Sequence, residues 1–89
     1  MAKKYLGSVR RWQELENLFV QQPVCPYTKK TLTLGIDTSL DHITPSTRGG
    51  TNEISNYQWV YCSGYFDINW MKGDMTDAEF RDAIKLLNN

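Results

Sequence analysis

The sequence predicts an α+β fold, with an amphipathic helix at each end and short strands between them. Three observations carry that prediction. Val9, Trp12, Leu15 and Phe19 recur at spacings of three and four, which is one face of a helix. "TLTLGIDTSLDHITP" and "YQWVY" are rich in the Thr, Ile, Val and aromatic side chains that suit a pleated, half-buried surface. Phe80, Ala83, Ile84 and Leu87 repeat the helical spacing behind Thr76 and Glu79, a capping box that marks a helix start.

In chain order, the first helix is expected over about 8–22, from Ser8 to the stop at Pro23. Pro23 and Pro26 then bracket a bend, "PVCPYTKK". Two short strands are expected within "TLTLGIDTSLDHITP", turned around Gly35–Asp37 and closed by Pro45. "STRGGTNEIS" reads as a loop whose two glycines permit positive φ. Tyr57 to Tyr61 follow as a third strand. Ser63 is read as the cap of a helix over "GYFDINWMK" that stops at Gly73, and the last helix spans about 76–87. No repeat or linker divides the chain, so residues 1–89 are expected to form one domain with a core of about 25–73 between the flanking helices.

Composition narrows the function classes. No run approaches the roughly 18 apolar residues of a membrane span, and the N-terminus lacks the apolar centre of a signal peptide. An intracellular, cytoplasmic location is expected. Cys25 and Cys62 do not make a disulfide framework. The net charge of zero argues against a general nucleic-acid glue. The charge is nevertheless uneven: Lys3, Lys4, Arg10, Arg11, Lys29 and Lys30 face only Glu14 and Glu16 in the first part of the chain. Such a distribution presents either a basic face or ordinary solvated charge.

His42 is the only histidine, and it follows Asp41 directly at the mouth of the glycine loop. Asn56 closes that loop, and Asn69 lies in the next expected helix. Carboxylate and amide oxygens are hard ligands for a cation such as Mg²⁺, and a neutral imidazole takes a proton from water near neutral pH. Adjacent residues of a flat strand point to opposite faces, so a shared site must sit where the strand bends into the loop.

The ordered pattern "LDHITPSTRGGTNEISNYQWV…NWMKGDMTDAEF" resembles the HNH endonucleases, which have the ββα-metal fold. The likeness runs from about Cys25 to Phe80 and rests on a DH pair followed by P, RGGTN, SN, QWV and N-x-x-KGD. It implies a ββα-metal core and hydrolysis of DNA phosphodiester bonds. By the same resemblance His42 is the general base, Asn56 organises the loop, and Asp41 and Asn69 hold one divalent metal, Mg²⁺ or alternatively Mn²⁺. DNA is the implied partner, and a homodimer or a phage packaging protein would supply what specificity there is. A phage or mobile-element origin is implied as well. The runner-up reading is a catalytically degenerate HNH module that binds nucleic acid or a partner protein.

Two features depart from the family. Each place where a structural zinc would take a cysteine pair holds one cysteine, in "CPYT" and "CSGY". Two of the four ligands are therefore missing, no structural zinc is expected, and Trp59, Tyr61, Tyr65 and Phe66 are expected to fill that space. The interval from Asn56 to Asn69 is also long, so "YCSGYFDI" reads as a short insertion. Arg48, Lys72, Arg10 and Arg11 are the candidate DNA contacts. Lys72 would share a helix face with Tyr65 and Asn69; the alternative is a solvated lysine favoured by the helix dipole.

Overall fold

A computed structural model describes residues 9–87 of the chain; Ser8, Lys3 and Lys4, named above, lie outside the described residues. Among the described residues the fold is α+β, with a three-stranded antiparallel sheet and three α-helices. Helix α1 spans Val9–Gln21, strand β1 Thr38–His42, strand β2 Tyr57–Ser63 and strand β3 Phe66–Asp67. Helices α2 (Ile68–Lys72) and α3 (Asp77–Leu87) complete it. The sheet order is β1-β2-β3.

Alternation along β2 gives the sheet two packed faces. Trp59 turns to α1, where its indole Nε1 donates to the Leu15 carbonyl at 2.9 Å and its ring meets Phe19 edge-on at 6.3 Å. Val60, one residue on, is fully buried on the other face with Cys25, Leu32, Ile68 and Phe80. Each such side chain stabilises the fold by about 1.5–3 kcal/mol through burial. The stripe expected on α1 is only partly used, because Leu15 is buried while Trp12 is 43% exposed.

Two expectations are corrected. "TLTLG" is not a strand paired with β1; Thr31 makes an isolated bridge with Val24 instead. Its donors are already spent: Leu32 N–H bonds the Pro23 carbonyl at 2.8 Å and Thr33 N–H bonds the Asp37 carboxylate at 2.7 Å. Asp37 N–H returns to the Thr33 carbonyl at 3.2 Å, which closes a turn rather than a ladder. The partner of β1 is β2.

The second correction concerns Ser63, which ends β2 and pairs with Phe66 rather than capping a helix. Gly64, at φ 55, opens a two-residue hairpin turn, a position that favours glycine. Asp67 then caps α2, accepting from Trp70 N–H at 3.2 Å. The apparent insertion is thus the end of β2, a tight turn and β3. In α3 the capping box forms, with Thr76 N–H on Glu79 Oε1 at 3.0 Å and Glu79 N–H on Thr76 Oγ1 at 3.2 Å. No helix among the described residues is long and apolar enough to cross a membrane.

Candidate functional site

The register of the β1–β2 pair sets Asp41 opposite Gln58 and His42 opposite Tyr57. Because side chains alternate, the carboxylate and the imidazole leave β1 on opposite faces. Asp41 turns inward and is 2% exposed. Its Oδ2 accepts from Gln58 Nε2 at 2.9 Å and lies 3.3 Å from Lys72 Nζ. Burial pushes the Asp41 carboxyl above its ordinary range, against the opposing pull of Gln58 and Lys72.

Lys72 therefore departs from expectation. It is buried, not presented to DNA: its ammonium also donates to the carbonyls of His42 at 2.7 Å and Ile43 at 3.1 Å. With Asp41 these acceptors match the three donors of an ammonium. The cause is the short α2, in which Ile68 and Lys72 share the buried face at i and i+4. Tyr65 lies before the helix, in the hairpin turn, and is fully exposed, so it shares no face with Lys72 and fills no zinc space.

His42 is partly exposed on the α1 side, its ring 4.6 Å from that of Tyr57. Nε2 lies 3.0 Å from Asn52 Oδ1, an oxygen that also accepts from the Tyr57 hydroxyl at 3.3 Å. With Asn52 Oδ1 as acceptor, the ring donates through Nε2, and the neutral tautomer carries its lone pair on Nδ1. Arg11 donates to the Asn52 carbonyl and sits 5.5 Å over the Tyr57 ring, and both of these residues contact the His42 ring. Arg10 is exposed on the same helix.

Asn56 ties the loop together. Its Oδ1 accepts from Thr44 N–H at 2.9 Å, and its Nδ2 donates to the carbonyls of Thr44 at 2.9 Å and Thr51 at 2.7 Å. Its own carbonyl accepts from Ile43 N–H at 2.8 Å, next to His42. Contact with the imidazole itself comes from Asn52, not Asn56. Only glycine fits at position 50, since a Cβ there would fall inside the Thr44 carbonyl. Arg48 is also differently employed: it makes a bidentate pair with Glu79, both contacts at 2.8 Å, and reaches the Asp74 carbonyl at 3.2 Å. The guanidinium fork that a phosphate would use is occupied by a carboxylate.

Asn69 lies on the Asp41 side, its Nδ2 3.5 Å from Ser39 Oγ; Ser39 and Asp41, two apart on β1, share that face. The Asp41 contacts go to Oδ2, which leaves Oδ1 and the Asn69 oxygen as hard donors suited to Mg²⁺. No group of three or more His, Cys, Asp or Glu side chains among the described residues is placed to hold a metal. Asp41 Oδ1 and the Asn69 amide oxygen are of the donor type that suits a cation which keeps its waters, while the Lys72 ammonium stands 3.3 Å from the other Asp41 oxygen. Cys25 is buried and Cys62 partly exposed, both as free thiols.

The residues that sequence reasoning missed are Asn52, Gln58 and Tyr27. Asn52 stands in "GGTNEISN" beside Asn56 with nothing local to separate their roles. Gln58 was legible in principle, because a polar residue on the inward face of "YQWVY" needs a buried partner. Comparison with family models, curated proteins and solved structures finds no match to the chain.

Proposed function

We propose that the chain is a metal-dependent DNA endonuclease with a ββα-metal core of the HNH kind, formed by β1, β2 and α2. The observation that carries this reading is the end of β1. There His42, the last residue of β1, is held through Nε2 and keeps its Nδ1 lone pair, while the buried Asp41 carboxylate leaves the strand on the opposite face, the side on which Asn69 reaches Ser39. His42 Nδ1 takes the proton of the attacking water, and Asn52 Oδ1, already bonded to Nε2–H, stabilises the imidazolium that forms. Asp41 and Asn69 would hold Mg²⁺, with Mn²⁺ as a substitute, and the cation would neutralise charge developing on the phosphate. Asn56 keeps the loop closed around Thr44 and Thr51. Arg10 and Arg11 supply backbone phosphate contacts on the imidazole side.

Supercoiled plasmid incubated with the protein in Mg²⁺, Mn²⁺ or EDTA tests the reading. Nicking is expected only with metal, and His42→Ala is expected to lower its rate by roughly 10²–10⁴-fold. Folded wild-type protein that leaves the plasmid intact with every metal overturns the hydrolytic reading, and a fully active variant removes His42 as the base. One observation favours the degenerate module as a second reading: Lys72 already neutralises Asp41 at 3.3 Å inside the protein. Its signature is a gel shift of DNA, or capture of a protein partner, with no cutting.

A further inference from the structure

A chain of hydrogen bonds runs between two carboxylates that are far apart in sequence. Tyr27 OH bonds Asp77 Oδ1 at 2.6 Å, Gln58 Nε2 bonds Tyr27 OH at 2.8 Å, and the same nitrogen bonds Asp41 Oδ2 at 2.9 Å. Chemistry forces the direction. A carboxylate only accepts, so the single Tyr27 proton goes to Asp77 and the phenol oxygen must accept in turn. Only the NH₂ of Gln58 can serve both Tyr27 and Asp41, which fixes the orientation of its amide. Arg81 closes the far end, 3.0 and 3.2 Å from Asp77 and 5.0 Å over the Tyr27 ring.

We propose that Tyr27, Gln58 and Asp77 are positioning residues for Asp41, pinning Oδ2 so that Oδ1 is the oxygen offered to a cation. The inference rests on the proposed function, in which Asp41 is a metal ligand. A ligating carboxylate needs its second oxygen held, because a free carboxylate rotates away from the geometry the metal requires. Burial and the bond to Asp77 raise the Tyr27 hydroxyl well above its ordinary range, so it stays a donor. Burial pushes the Asp77 carboxyl up, but Tyr27 and Arg81 outweigh it and hold the group below its ordinary value, so it stays an acceptor. Asp77 N–H also bonds the Ile43 carbonyl at 3.1 Å, which fixes the start of α3 to the strand end that the chain serves. The first turn of α3 is thereby part of the site.

The test titrates Mn²⁺ into the full-length protein and reads the free ion by electron paramagnetic resonance. The proteins are wild type, Asp41→Asn, Tyr27→Phe and Gln58→Met, each checked for folding by urea unfolding. Tyr27→Phe keeps the ring that packs edge-on against Phe80 at 4.8 Å and removes only the hydroxyl. Both Tyr27→Phe and Gln58→Met are expected to weaken Mn²⁺ binding about 10-fold, and Asp41→Asn at least as much. A purely structural role would move the unfolding midpoint and leave Mn²⁺ affinity alone. If the two positioning variants bind Mn²⁺ like wild type while Asp41→Asn does not, the inference fails and the metal site stands. If Asp41→Asn binds like wild type, or wild type binds no Mn²⁺, both fall together.

Discussion

Lys72 illustrates how much one side chain is decided by its burial. An ammonium without solvent contact is tolerable only when all its donors are met, and Asp41 with the His42 and Ile43 carbonyls meets them. Lys72→Met keeps the length of the stem and strands three acceptors, one of them charged. Breaking a buried pair from one side is expected to cost about 3–5 kcal/mol, read as a lower urea midpoint at unchanged slope. A solvated lysine, the alternative to the DNA contact expected from sequence, would lose almost nothing. The Asp41–His42 pair was legible because adjacency is a local fact. The role of Asn52 was not, because its contact to His42 spans ten positions across a folded loop.

At the scale of elements, local signals fared well where hydrogen bonding is local. The capping box and the apolar spacing located α3, since both operate within a few residues. They failed at α2, where Ser63 was read as the cap; the tertiary pairing of β2 with β3 takes Ser63 into the strand and leaves Asp67 to cap the helix. The distinction is measurable. Asp67→Ala is expected to cost about 1 kcal/mol in chemical unfolding, whereas Ser63→Ala, at an exposed strand end, should fall within roughly 0.5 kcal/mol of wild type. Equal losses would return the cap to Ser63. The expected strand before Gly35 failed for a related reason: the Asp37 carboxylate competes for Thr33 N–H and wins.

Across the whole molecule, α3 is tied to the site region twice, through Asp77 and through the pair of Arg48 with Glu79. Arg48 and the cap at Thr76 hold the Glu79 carboxyl at about 2 instead of its ordinary 4.5. A depressed carboxylate contributes stability that is present above the ordinary value and lost as pH falls through the folded one. The thermal midpoint is therefore expected to fall from pH 4.5 toward pH 2, and less steeply in Glu79→Gln, which keeps the cap and loses the charge. High salt should shrink the same component, because the pair is exposed. An acid limb identical in Glu79→Gln would show that the pair does not hold the loop.

By itself the sequence determined the α+β class, the helix at each end and the placing of Asp41 and His42 where a strand meets a glycine loop. Periodicity, caps and turn residues act over three or four positions, and those features need nothing more distant. Tertiary structure decided which strand pairs with β1, which residue caps α2 and where the Lys72 charge goes. The decisive contacts include ones between residues well separated in the chain, such as Leu32 with Pro23, Lys72 with Asp41 and Arg48 with Glu79. Such contacts are settled by what the packed chain brings within about 3 Å, the reach of a hydrogen bond, and no local pattern encodes that distance.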